Sequence, residues 1–152
     1  MILLQKNEWP KAVRPLLDPN VYELALAVRT VADTPMVPSP DPEAHVRYTD
    51  GASLHCVGVR GNKRSMATDL FLLDPSGVAQ AWVQAQSISA LGGFGIYFDT
   101  SLGGKKRVLF HLDTRQKRTL WLCPDERVRR YVYYSVDPIL FLNLLSKEFS
   151  KL

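Results

Sequence analysis

Apolar residues at helical spacing mark the chain's first clear element. Val21, Leu24, Ala25, Val28 and Val31 recur at intervals of three or four up to Ala32. Asp18-Pro19 precedes them, a capping carboxylate followed by a residue suited to the first helical turn. A turn or short helix is expected over Trp9 to Leu17. From Thr34 to Glu43 the pattern stops, and prolines at 35, 38, 40 and 42 exclude helix and predict a stiff extended connector. Ala44 to Tyr48 reads as a short strand, Thr49-Asp50-Gly51 as a turn, and Ser53 to Ser65 as a loop or irregular hairpin.

Ala67 to Leu73 is a buried strand. Val78, Trp82, Ala85 and Ile88 then predict a helix to about Ala90, closed by Gly92-Gly93. The runs 94–98, 107–114 and 118–122 predict an antiparallel meander, with Gly95 allowing close backbone approach and Arg129 to Val136 adding one more strand. Asp137-Pro138 repeats the helix-start signal, and Ile139, Leu142, Leu145 and Phe149 give the terminal helix its apolar face. The order predicts one α+β domain over 1–152, an antiparallel sheet with flanking helices.

Two strands break the apolar pattern with ionisable groups. Asp69 stands amid Ala67, Leu70, Phe71 and Leu72, where an unpaired carboxylate is costly. In Leu109-Phe110-His111-Leu112-Asp113-Thr114, His111 and Asp113 sit two residues apart and so share one sheet face. Such a pair serves either as metal ligand and proton acceptor or as a hydrogen-bonded couple at a strand edge. With His55, these residues supply two imidazoles and a carboxylate, a donor set used by catalytic zinc sites that keep a position for water. Asp113 would then stand beside the metal as proton acceptor, or orient a histidine from behind.

Composition narrows the field of partners. Hydrophobic residues make up 46% and charged residues 22%, which excludes a wholly disordered chain. The net charge of +4 suits nucleic acid, anionic lipid or bacterial cell wall. The basic residues are scattered apart from Lys105-Lys106-Arg107 and Arg127 to Arg130, so nucleic acid is not the favoured partner. Cys56 and Cys123 are too few for a disulfide framework. No apolar window is long enough to span a membrane, and the start has no charged region ahead of its apolar residues, so no signal peptide is expected. Gly92-Gly93-Phe94-Gly95 lacks the G-K-[ST] of a phosphate loop, and no G-x-S-x-G elbow is present. The aromatic run Tyr131, Tyr133, Tyr134 reads first as a sheet edge covered by the terminal helix, and second as a stacking surface.

Ser53-x-His55, Ala67-Thr68-Asp69, Gly92-Gly93-Phe94-Gly95-Ile96-Tyr97, Phe110-His111-Leu112-Asp113-Thr114 and Trp121 follow one another in a familiar order. The stretch from Asp50 to Trp121 resembles the zinc D-alanyl-D-alanine carboxypeptidase and phage endolysin peptidase family, whose fold is shared with hedgehog signalling domains. The resemblance implies zinc on His55, Asp69 and His111, Asp113 in the catalytic-base region, and substrate contacts from Arg47, Ser53 and Tyr97. It also implies a peptidoglycan stem peptide or cross-link as substrate, reached after lysis, export or delivery in a virion. His55 and Asp69 stand fourteen positions apart, twice the family spacing, which predicts an insertion over 57–64 containing Gly58, Gly61 and Asn62. His45 is the alternative first ligand. If that ligand is lost, the same fold would serve as a non-catalytic binding or structural module.

Overall fold

The computed structural model describes residues 8–48, 53–57, 63–128 and 130–152. Within them, α1 (Pro19–Ala32), α2 (Val78–Ala85) and α3 (Pro138–Phe149) accompany six strands: β1 (Met36–Pro38), β2 (Ala67–Leu72), β3 (Gly93–Leu102), β4 (Lys105–Asp113), β5 (Thr119–Cys123) and β6 (Val132–Tyr133). The strands form one sheet in the order β1-β2-β4-β3-β5-β6. The Thr49-Asp50-Gly51 turn and the glycines expected to loop at 58 and 61 lie outside the described residues.

Both Asp-Pro signals start helices. Asp18 accepts from the Asn20 amide at 2.9 Å and Asp137 from the Leu140 amide at 2.9 Å, each occupying an amide that has no partner within its helix. α1 stops at Asp33, which takes the left-handed conformation (φ 47°). Three-residue 3-10 turns at Pro42–Ala44 and Pro75–Gly77 begin with the same Asp-Pro arrangement.

Strand alternation divides the sheet into two faces. Leu70, Phe110, Ile96, Leu122 and Val132 are register partners across five strands, and all belong to the hydrophobic core. The helices pack on this face. Trp82 of α2 stacks on Phe94 at 4.1 Å and lies 6.4 Å from Phe141 of α3. One residue along, the row Asp69–His111–Gly95–Trp121–Tyr133 crosses the same five strands on the opposite face. The helices thus leave that face to the polar residues.

The expected meander is replaced by a mixed arrangement. β5 pairs in parallel with β3, on the side away from β4, so residues 114–118 cross the start of β3. Gly92 makes the crossing possible, since a Cβ there would lie 1.9 Å from the Arg115 carbonyl oxygen. The amides of Gly92 and Thr119 bond the carbonyls of Asp113 and Gly92 at 2.9 and 2.8 Å.

Other elements also differ from expectation. The proline connector contributes the edge strand β1, where Pro38 can sit at a strand end. Ala44–Tyr48 is no strand; it leaves a 3-10 turn and makes a single bridge from Arg47 to Cys56. α2 ends at Ala85, and β6 is only two residues long. On α3 the buried face is Phe141, Leu145 and Glu148, while Ile139 and Leu142 are 73% and 53% exposed. Apolar residues surround most of that helix, so spacing alone did not single out the docking face.

Candidate metal centre

Asp69 and His111 meet as register partners on β2 and β4. His111 Nδ1 lies 2.9 Å from Asp69 Oδ1. The third group arrives from the 53–57 segment, which is tied down on two sides. The Arg47 amide bonds the His55 carbonyl at 2.8 Å, and the Met66 amide bonds that of Leu54 at 3.0 Å. Ser53 Oγ accepts from the His55 amide at 3.3 Å and shapes the turn. His55 Nε2 consequently sits 3.0 Å from His111 Nδ1 and 3.5 Å from Asp69 Oδ1.

These three donor atoms form a triangle with edges of 2.9, 3.0 and 3.5 Å, and all three residues are buried. Bonds of about 2.0–2.1 Å at tetrahedral angles would separate ligand atoms by about 3.3 Å. His55, Asp69 and His111 could therefore hold a metal ion with little movement.

The outward ring nitrogens orient the inward ones. His55 Nδ1 faces the His45 carbonyl oxygen at 3.4 Å, and His111 Nε2 faces Asp113 Oδ2 at 3.1 Å. A carbonyl and a carboxylate accept protons, so in the metal-ready tautomers Nε2 of His55 and Nδ1 of His111 turn lone pairs toward Asp69. Three facing electron-pair donors need a cation, or at least a shared proton, between them. Burial by itself would lower the His111 pKa. Hydrogen bonds to Asp113 and Asp69, and their charges, instead raise it to about 9, so a proton fills that need in the metal-free chain. Burial would likewise raise Asp69, but the His55 charge and hydrogen bonds from His111 and His55 hold its carboxyl below the usual range.

Asp113 lies behind His111 rather than beside the donor triangle. Its carboxylate is fully buried and engaged by His111 Nε2, Arg115 Nε and the Arg115 amide. The base role expected of Asp113 does not fit this placement, because the two nitrogens of one imidazole point to opposite sides of the ring. His45 is not drawn into the triangle either. Its Nδ1 is 2.7 Å from Thr68 Oγ1 and its Nε2 2.8 Å from the Ser39 carbonyl oxygen, so both nitrogens are occupied. Its contribution is the carbonyl that orients His55.

Asp69 opens onto a polar cleft of about 340 Å³, lined also by Ser39, Arg47, Phe71, Thr100 and Leu109. Arg47 is thus placed along an approach to the donor set, its Nε donating to the Glu43 carbonyl at 2.9 Å. Tyr97 is linked to the site through Trp121, whose Nε1 donates to the Tyr97 hydroxyl at 3.1 Å and whose ring lies 5.0 Å from that of His111. Burial pushes the Tyr97 hydroxyl pKa up, which keeps it a proton donor.

Sequence reading missed Arg115. The available signal was its position two residues beyond Asp113, close enough along the chain for a guanidinium to reach back to that carboxylate. Among the described residues no helix is long and apolar enough to cross a membrane. Comparison with protein-family models, curated proteins and solved structures returns no match to this chain.

Proposed function

We propose that the protein is a zinc-dependent peptidase acting on peptidoglycan stem peptides or cross-links, with a fold of the D-alanyl-D-alanine peptidase and hedgehog type. The observation that carries the metal is the triangle of donor atoms from His55, Asp69 and His111. Two imidazoles and one carboxylate suit zinc and leave a coordination position open. The peptide substrate rests on the resemblance of the Ser53-to-Trp121 motifs, and the positive net charge suits an anionic wall. A zinc ion held there would supply Lewis acidity to a scissile carbonyl and lower the pKa of water.

The chain's own residues do the rest. His45, through its carbonyl, and Asp113, through its carboxylate, hold the two imidazoles in the tautomers that ligation requires. Arg47 lines the cleft with Asp69, and in this reading its guanidinium would meet a substrate carboxylate. Tyr97 offers a hydroxyl proton beside Trp121, and Ser53 shapes the turn that presents His55.

The commitment of Asp113 to Arg115 and His111 favours a second reading, in which the same centre is structural and the protein is a binding module, for example of a virion. One pair of measurements separates the two: metal content of protein purified without added metal, and release of peptides from purified peptidoglycan followed by mass spectrometry. The enzyme reading expects about one zinc per chain, lost in His55→Ala, Asp69→Ala and His111→Ala but kept in His45→Ala, together with zinc-dependent peptide release. Zinc without peptide release selects the binding module. Well-folded protein that takes up no transition metal refutes the zinc peptidase.

A further inference from the structure

Arg115 reaches the candidate metal centre through Asp113, the carboxylate that lies behind His111. Its Nε is 2.9 Å from both carboxylate oxygens of Asp113, its amide is 3.0 Å from Oδ1, and Nη2 also reaches Oδ2. Its guanidinium carbon lies 5.1 Å from the centre of the Trp121 ring, which in turn flanks His111 at 5.0 Å. Arg115 is one-third exposed whereas the Asp113 side chain is wholly buried, so the pair runs from the surface to the ring of a metal ligand.

The glycines of β3 and its approach form the socket for this assembly. A Cβ on Gly92 would meet the Arg115 backbone, one on Gly93 would stand 2.1 Å from Asp113 Oδ2, and one on Gly95 would stand 2.4 Å from the Trp121 indole. Each of the three glycines clears space for one member of the set Arg115, Asp113 and Trp121. The Gly92-Gly93-x-Gly95 motif thereby acquires a specific job on the polar face.

We propose that Arg115 is a positioning residue of the metal centre, clamping Asp113 so that His111 presents Nδ1 to the metal. This inference rests on the metal-binding part of the reading above and not on peptidase activity. Without the guanidinium, a buried Asp113 would lose the partner that fixes its plane and would be free to rotate away from Nε2. That rotation loosens the orientation of His111, and loss of such a supporting contact costs about 10–100-fold in metal affinity.

The test measures zinc affinity by chelator competition, and the visible absorption of the cobalt-substituted protein, for wild type, Arg115→Gln, Arg115→Lys, Asp113→Asn and the Arg115→Gln/Asp113→Asn double variant. Arg115→Gln is expected to bind zinc about 10–100-fold more weakly and to shift the cobalt ligand-field bands, with Arg115→Lys recovering part of the loss. The double variant should bind no more weakly than Asp113→Asn alone, because Arg115 acts through Asp113. Wild-type zinc affinity and an unchanged cobalt spectrum in Arg115→Gln, even with a lowered melting temperature, would overturn the proposal. Additive losses in the double variant would also overturn it. If Arg115→Gln does not fold, Arg115→Met keeps the side-chain stem and removes the guanidinium, and the same two readings decide. A wild type that binds zinc but releases no peptide defeats the peptidase reading and leaves this one standing; a wild type that binds neither zinc nor cobalt defeats both.

Discussion

His111 carries opposite obligations with and without metal. Metal-free, its pKa is raised to about 9 from an ordinary 6.5, against the lowering effect of burial, by Asp113 and Asp69. A group whose pKa rises on folding stabilises the fold fully below its unfolded value and loses that contribution as pH climbs through the folded value. Asp69 and Asp113 are shifted down, against burial, by their histidine and arginine partners, so their contribution is present above an ordinary 3.8 and lost as pH falls. The metal-free protein should therefore melt at a lower temperature at pH 9.5 than at pH 6.5. Saturating zinc should remove most of that decline, because the metal replaces the proton between the donors. Thermal melts at the two pH values, with chelator and with zinc, measure this, and a metal-free melting temperature that does not fall would contradict the hydrogen-bonded triangle.

Among the elements, α3 shows how packing selects a face that periodicity leaves open. Ile139 was expected inward and is 73% exposed, while Phe141 was not in the expected stripe and is 2% exposed. Phe141 meets Tyr134 at 5.6 Å and Trp82 at 6.4 Å, a cluster assembled from three separate segments. Phe141→Ala should thus cost about 3–5 kcal/mol through the cavity it leaves. Ile139→Gln should change stability by no more than about 0.5 kcal/mol, as for other surface substitutions. Chemical denaturation of both variants checks the contrast, and a large loss from Ile139→Gln would mean that the helix docks by its other side. β3 shows the reverse case. Gly95 was expected to permit close approach from its place in a strand, and Trp121 lies against it from the next strand.

Among the described residues, helices and polar centre occupy opposite faces of one sheet, so a metal held by Asp69 and His111 would be coupled to core packing through β2 and β4. Both strands carry core residues and ligands in strict alternation: Leu70 beside Asp69, and Phe110 and Leu112 beside His111. A single cooperative unfolding transition is expected. Free zinc at a hundredfold excess over its dissociation constant should add about 2.7 kcal/mol. His111→Ala should unfold with a midpoint that no longer responds to zinc. A zinc-dependent shift retained in that variant would place the metal elsewhere on the chain.

The sequence by itself determined what depends on neighbours along the chain. The Asp-Pro starts of α1 and α3 follow from capping chemistry within three residues, and strand alternation placed His111 and Asp113 on one face. The cost of burying a carboxylate marked Asp69 before any partner was known. Pairing across the sheet was beyond its reach, because alternation specifies which face a side chain takes and not which strand lies alongside. Only the tertiary structure set β5 parallel to β3, closed His55 onto Asp69 and His111, and turned Asp113 to the far nitrogen under the grip of Arg115. Each of those outcomes joins segments distant in sequence or turns on where a side chain points, and only the folded packing of the whole chain settles either.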